Sequence, residues 1–210
     1  MLLAPSKPEI DHRTMKLLVG LMALSLPFLT NYLHSTITSI SESYCEGGSA
    51  QSIFVGFLFA IAAFLLAYNG LSLTEMVMSK VAGVAALVVA LFPCGCECRP
   101  ETIPHLHYAA AAVMFLTLAY FCHVFYKRAR EKGFTEAKRR AVVYAISGFI
   151  IMLSMLLLAL DLLPGHILRN ADKCLAFHCE SAALLAFGVS WLTASRTLPV
   201  LSRSDERLSF

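Results

Sequence analysis

The stretch AVVYAISGFIIMLSMLLLALDLL, residues 141–163, decides the class of fold. It carries no charged side chain before Asp161. A helix needs about 20 mainly apolar residues to cross the hydrocarbon core of a bilayer, and this stretch is long enough to do so. It therefore predicts a transmembrane helix, and the rest of the chain repeats the pattern.

Six such stretches occur along the 210 residues. They predict transmembrane helices at about 17–33, 53–71, 76–92, 106–126, 141–163 and 175–195. The chain is 58% hydrophobic and 15% charged, with a mean hydropathy of +0.68. A soluble domain averages about 45–50% apolar and about 25% charged residues. The sequence thus predicts one all-α domain over residues 1–210, a polytopic bundle of six transmembrane helices.

Composition and motifs exclude several classes of function. The apolar fraction is too high for a disordered chain. The net charge is only +3, and its distribution fits a membrane better than a nucleic acid. The sequence contains no P-loop, dinucleotide-binding fingerprint, H-E-x-x-H or G-x-S-x-G motif. We therefore expect membrane lipids as partners and no nucleic acid.

Basic residues predict the orientation, because Lys and Arg collect on the cytoplasmic side. The termini and the two loops on one side hold 14 of the 17 basic residues, seven of them within 127–140. The opposite side holds Arg99, Arg169 and Lys173. This distribution predicts that both termini are cytoplasmic. The 127–140 loop anchors this topology, and binding of anionic lipid headgroups is an additional possibility.

Small and aromatic residues suggest further details of the bundle. Gly56, Ala60, Ala63 and Ala67 form a stripe on the second span, and Ala141, Ala145 and Gly148 form another on the fifth. Such stripes allow helices to approach closely, here within one bundle rather than between two copies. Trp191 falls near the inner end of the last span, where amphipathic rings favour the membrane interface.

The predicted outer side gathers the reactive side chains. Glu180 and His107 each lie about one turn inside a span, and an ionisable group at that depth normally faces the bundle interior. We predict that both face one shared pocket and, with Glu42 from the first outer loop, form the candidate catalytic group. The candidate ligand-binding residues are Ser41, Tyr108, Asp161 and His178. A purely structural polar cluster is the alternative.

Six of the seven cysteines also lie on the predicted outer side: Cys45, Cys94, Cys96, Cys98, Cys174 and Cys179. An oxidising compartment would pair an even number of thiols, so these are candidates for disulfide bonds. Free structural thiols, or a metal site formed by the C-x-C-x-C run with a histidine, are the alternatives. A second candidate metal site, for zinc, comprises His107, His178 and Glu180.

Several segments resemble the Frag/DRAM family, which includes autophagy modulators and a GPI-lipid-remodelling protein. The segment Ser39-Ile40-Ser41-Glu42, followed by Phe54-Val55-Gly56, resembles the family's first outer loop and second helix. His107, with the small residues 109–112 after it, resembles the opening of the family's fourth helix. Glu180 followed by Trp191 resembles its last helix.

Nearly the whole chain also resembles an uncharacterised family of bacterial polytopic membrane proteins. The matching segments include residues 66–70, 90–93 and 187–192. This resemblance implies a multi-pass protein of the bacterial inner membrane. A more distant similarity is to the superfamily of alkaline ceramidases and adiponectin receptors, whose zinc hydrolases use an H-x3-H motif. Here Ala182 stands four residues after His178.

Together these features predict an integral membrane protein whose outer polar pocket binds or modifies a lipid, as a hydrolase or an acyl transferase. A non-enzymatic structural or scaffold protein is the first alternative, and a small-molecule transporter is the second. Transport is disfavoured because no charged residue lies at the bilayer midplane. Oligomerisation and the identity of any cofactor stay open.

Overall fold

The fold is that of a computed structural model, which describes residues 12–33, 38–95, 103–162 and 172–203. Most of these residues are helical, and there is no strand among them. The helices are α1 His12–Leu33, α2 Ser43–Glu46, α3 Gly48–Ala67, α4 Leu73–Leu91, α5 Pro104–Glu131, α6 Thr135–Asp161 and α7 Leu175–Ser195, and a 3₁₀ turn follows at Pro199–Leu201. All but α2 and the turn are long and apolar enough to cross a membrane. The prediction of an all-α polytopic bundle is confirmed.

The six long helices pack as a closed ring. Each packs against its neighbour in sequence, and α1 completes the ring by packing against α7. The short connections 68–72 and 132–134 make the helices that they join antiparallel. The loops gather at two ends. We call one the basic end, with residues 68–72, 127–140 and 196–203, and the other the loop end, with residues 38–47, 92–95 and 172–174. The cytoplasmic placement of the termini stays a prediction.

Several helix bounds differ from those predicted. The second span ends at Ala67 rather than at residue 71, because Gly70 adopts a positive φ of 63° in a turn that a helix cannot contain. A Cβ on Gly70 would lie 2.5 Å from the Cβ of Glu75, so the turn also leaves no room for a side chain. Helix α5 continues to Glu131, beyond the predicted residue 126, because Lys, Arg and Glu are good helix formers.

The closest helix contacts lie away from one of the predicted small-residue stripes. Gly20 of α1 and Gly188 of α7 face each other, and a Cβ on Gly188 would lie 2.9 Å from the Gly20 carbonyl oxygen. By contrast, no atom lies within 4 Å of a Cβ built on Gly56. The prediction that the Gly56 stripe mediates packing within the bundle is therefore wrong at that residue, because this face of α3 points outward.

Aromatic rings fill the bundle towards the basic end. Trp191 is fully buried and contacts Tyr68, Phe121, Phe125 and Phe187, with ring centroids 5.3–6.2 Å apart. The expectation that Trp191 lies at the membrane interface is therefore wrong, because its helix face points into the ring. Burial raises the pKa of the Tyr68 hydroxyl to about 12.

An ion pair ties α4 to α5 at the basic end. Arg128 pairs with Glu75, whose side chain is 3% exposed. Glu75 also accepts a hydrogen bond from the Ser72 hydroxyl at 3.0 Å, while its own N–H donates to Ser72 Oγ at 3.2 Å. Ser72 is thus the N-cap of α4, and its side chain satisfies one backbone donor at the start of the helix.

Candidate functional site

The site lies at the loop end, where residues 38–46 fold over the first turn of α7. The Phe177 N–H donates to the Thr38 carbonyl oxygen at 2.9 Å and fixes the loop on the helix. Within the loop, the N–H and hydroxyl of Thr38 donate to the Glu42 carboxylate at 2.6 and 2.9 Å. Glu42, a predicted catalytic residue, thus shapes its own loop.

The Glu180 carboxylate is held in a cradle formed by Ser39, Ile40 and Ser41. The Ile40 N–H donates to Oε2 at 2.6 Å, and the Ser41 N–H lies 3.4 Å from the same oxygen. The Ser39 hydroxyl lies 3.1 and 3.2 Å from the two carboxylate oxygens, and the Ser41 hydroxyl lies 3.3 Å from Oε1. Charged hydrogen bonds of this kind are about twice as strong as neutral ones.

His107 lies across from this cradle, in the first turn of α5. It is 2% exposed, and its Nδ1 lies 2.7 Å from the carbonyl oxygen of Phe92. A carbonyl can only accept, so Nδ1 carries the proton and donates it. In the neutral ring Nε2 therefore keeps its lone pair, which can accept a hydrogen bond or a proton.

His107, Glu180 and Ser41 line one cavity at the loop end of the ring. Its volume is about 30 Å³, and the other lining residues are apolar. A cavity needs about 10–15 Å³ to hold a water molecule, so this one has room for a water but not for an acyl chain. A basic nitrogen, a carboxylate and a hydroxyl around such a space can bind and polarise a small polar group.

Glu180 and His107 line the same cavity but have separate hydrogen-bond partners. Among the described residues, the hydrogen-bond donors to Glu180 come from Ser39, Ile40 and Ser41, and His107 bonds instead to Phe92. Sequence reasoning missed Ser39, although it lies within the quoted Ser-Ile-Ser-Glu segment. Nothing in the sequence indicates that the Phe92 carbonyl is the partner of His107, because every residue has a backbone acceptor.

Three of the predicted ligand-binding residues lie outside the cavity. His178 is exposed, and its Nδ1 lies 2.8 Å from Asp172 Oδ2. The hydrogen bonds from His178 and from the Cys174 N–H lower the pKa of Asp172. Asp161 is buried at the end of α6, and the hydroxyl of Tyr108 donates to the Cys94 carbonyl oxygen at 3.3 Å.

The candidate zinc ligands do not come together. Among the residues that the structure describes, no three or more His, Cys, Asp or Glu side chains are placed to hold a metal ion. His107 and Glu180 line the cavity, but His178 lies on another face of its helix and pairs with Asp172. Residues 178 and 180 are about 200° apart around a helix, which accounts for this separation.

The cysteines are in different states. Cys94, Cys174 and Cys179 are free, as is Cys122 within the bundle, so the disulfide prediction is wrong for the first three. Cys174 and Cys179 are five residues apart at the start of α7, about 7.5 Å along the axis, which exceeds the usual disulfide span. The Sγ of Cys45 lies 3.5 Å from the carbonyl oxygen of Gly95, and a disulfide bond of Cys45 stays a prediction. The candidates Cys96 and Cys98 lie outside the described residues.

Comparisons of the chain with known protein families, with curated proteins and with solved structures find no match. The function is therefore argued from the geometry of the described residues.

Proposed function

We propose that this integral membrane protein binds a membrane lipid, with a polar group of the lipid at the loop-end cavity. One observation carries the proposal: His107, Glu180 and Ser41 line the same small cavity beneath the loop. The cavity lies about one turn inside α5 and α7. If α5 and α7 span a bilayer, the first turns of these helices lie close to the boundary between headgroups and acyl chains.

Each polar residue has a definite role in this proposal. His107 is held by Phe92, so its Nε2 keeps a fixed direction for a hydroxyl, a water molecule or a protonated ligand group. Ser41 supplies a hydroxyl that can donate or accept. Glu180 keeps the loop in place and adds negative charge, which favours a ligand group that donates hydrogen bonds.

The same arrangement suits hydrolysis of a lipid ester. A water molecule in the cavity would give its proton to His107 Nε2 while its oxygen attacks the ester carbonyl. The proton would then pass to the departing alcohol, and the products would be a carboxylic acid and an alcohol. Because the cavity has room for a water but not for a chain, residues 38–46 must move to admit the ester.

A second candidate is a structural role, and the cradle itself favours it. Both oxygens of the Glu180 carboxylate already have donors within the loop. A charge that is satisfied in this way can tie the loop to α7 without any ligand. The protein would then be a membrane scaffold of the kind that the sequence leaves as its first alternative.

Lipid binding by a His107→Gln variant separates these two candidates. The matched control is His178→Gln, which changes an exposed histidine outside the cavity. Native mass spectrometry of the detergent-purified proteins measures co-bound lipid, and the melting temperature is read in parallel. If the cavity binds lipid, the fraction of protein with bound lipid should be lower for His107→Gln than for the control. The two variants should have similar melting temperatures.

An equal bound fraction in His107→Gln and wild type, with a lower melting temperature, would support the structural role instead. Incubation with an ester-linked fluorescent lipid tests hydrolysis separately. We expect release of the fatty acid by wild type and none by His107→Gln. Lipid binding without release of the fatty acid would indicate that the protein binds lipid but does not hydrolyse it.

A further inference from the structure

A long groove runs along the outward side of α5 and α6, away from the loop-end cavity. It consists of two adjoining hollows of about 650 and 590 Å³, which share Tyr126 and Ala145. Each volume falls within the range of about 300–1,000 Å³ that is typical of small-molecule sites. The groove opens on the outward surface of two helices that are long and apolar enough to cross a membrane.

Small side chains on α6 form the floor of this groove. Ala141, Ala145 and Gly148 line it at positions four and three residues apart, on one face of the helix. A Cβ on Gly148 would lie 3.3 Å from the Cβ of Cys122, so α6 lies close to α5 here. The larger neighbours Ile146 and Phe149 are exposed and form a wall.

The groove changes chemistry along its length. At the basic end it is lined by Arg130 and Lys138, and the Arg130 guanidinium lies 5.9 Å from the centre of the Tyr126 ring. Seven residues earlier on α5, about 10 Å away along the axis, it is lined by His123. Beyond His123 the lining is mostly apolar and includes Phe149 and Met152, with Tyr120 among them.

The positive charges at the basic end of the groove favour an anionic ligand. Arg130 and Lys138 are exposed, and no carboxylate of the described residues forms an ion pair with either. His123 is also exposed, on a helix face that would otherwise meet only hydrocarbon. A polar side chain at that depth is costly without a partner. The basic, polar and apolar segments of the groove thus follow one another in the same order as the phosphate, the ester region and the acyl chains of a phospholipid.

We propose that this groove binds one anionic glycerophospholipid from the leaflet at the basic end. Its phosphate lies against Arg130 and Lys138, its ester region near His123, and one acyl chain along Gly148 and Met152. This site is independent of the loop-end cavity and of the function proposed for it.

A second copy of the chain is a poorer occupant. Two copies related by a two-fold axis along the membrane normal would bring their basic ends together. Arg130 and Lys138 of one copy would then face the same two residues of the other, and like charges repel. A lipid phosphate neutralises them instead.

Binding of defined lipids to the purified full chain tests the proposal. The probes are phosphatidylglycerol and zwitterionic phosphatidylcholine, titrated by native mass spectrometry. The test variant is Arg130→Gln/Lys138→Gln, and the control is Lys127→Gln/Arg139→Gln, which removes the same charge outside the groove. An interfacial Lys or Arg contributes about fivefold to the binding of anionic lipid, so we expect a loss of about 30-fold for the test variant and a much smaller loss for the control.

Filling the groove tests the acyl-chain contact without a change in charge. Ala145→Phe is expected to weaken phosphatidylglycerol binding about tenfold, while Ala109→Phe, an exposed alanine of α5 outside the groove, leaves it unchanged. Melting temperatures of all variants show whether they are folded.

Each contrary result overturns the proposal. Equal losses in the two charge variants would mean diffuse attraction to the surface. Displacement by inorganic phosphate, with no effect of Ala145→Phe, would mean a site for the phosphate group alone. Cross-linking of two chains through position 145 would mean that a second copy occupies the groove.

Discussion

Removal of the Glu180 carboxylate should release the 38–46 loop from α7 and destabilise the whole bundle. In Glu180→Ala, the N–H groups of Ile40 and Ser41 lose their acceptor. Ile40 is 2% exposed and Ser41 is 6% exposed, so bulk solvent does not reach these groups. The two hydroxyls are affected less, because those of Ser39 and Ser41 already lie 2.7 Å apart and can bond to each other.

The size of the effect follows from these contacts. A buried donor left without a partner costs about 1–3 kcal/mol, so two such donors cost about 4 kcal/mol. For a chain of this length, 1 kcal/mol shifts the melting temperature by about 2–4 °C, which gives a decrease of about 8–16 °C. Glu180→Gln keeps one carbonyl acceptor but exchanges the other oxygen, and with it the charge, for an NH2 donor. This change should cost about 1–2 kcal/mol and lower the melting temperature by about 2–8 °C.

Scanning fluorimetry of the detergent-purified variants measures these shifts. The control is Asp172→Asn, which removes a carboxylate from an exposed pair and should leave the melting temperature unchanged. The order expected is wild type and Asp172→Asn highest, then Glu180→Gln, then Glu180→Ala. The reasoning fails if Glu180→Ala melts no lower than Asp172→Asn, since the cradle would then contribute nothing to stability.

Three further predictions concern other parts of the fold. Gly188→Val should destabilise the bundle by about 1–3 kcal/mol or more, because its new side chain meets the backbone of α1, whereas Gly56→Val should have little effect on the melting temperature. Arg128→Gln should lower the free energy of unfolding by roughly 2 kcal/mol, because it leaves Glu75 without its cation. The cost is below that in a fully buried pair, because Arg128 is 30% exposed. An unchanged thermal melt would contradict this prediction. Burial raises the pKa of the Cys94 thiol, so its labelling by maleimide should be slow at pH 7 and accelerate only above the pH at which a free cysteine ionises. Equal labelling rates for Cys94 and a model thiol at pH 7 would refute this.

The sequence predicted the spans well because length and hydrophobicity suffice to recognise a transmembrane helix. The sixth span matches α7 at both ends, Leu175–Ser195. The errors lie at boundaries such as Ala67, where a turn ends the helix inside an apolar run, and Glu131, where charged residues stay helical beyond it. Hydropathy contains no information on either feature.

The candidate site was predictable in part. The depth of His107 and Glu180 in their spans indicated that both face the interior, and they do line one cavity. Their hydrogen-bond partners were not predictable, because a loop backbone and a carbonyl supply them and neither has a signature in the side-chain sequence. His178 shows the same limit, since its partner Asp172 is supplied by the turn before α7.

The sequence by itself determined that the chain is a polytopic helical membrane protein, because apolar runs of bilayer length have no other stable arrangement. Only the tertiary structure decided which face of each helix points inward. That choice places Gly20 against Gly188, exposes Gly56 and buries Trp191. The physical reason is that lipid is as apolar as the bundle core, so the hydrophobic effect does not select the inward face, and close packing and hydrogen bonds between helices do.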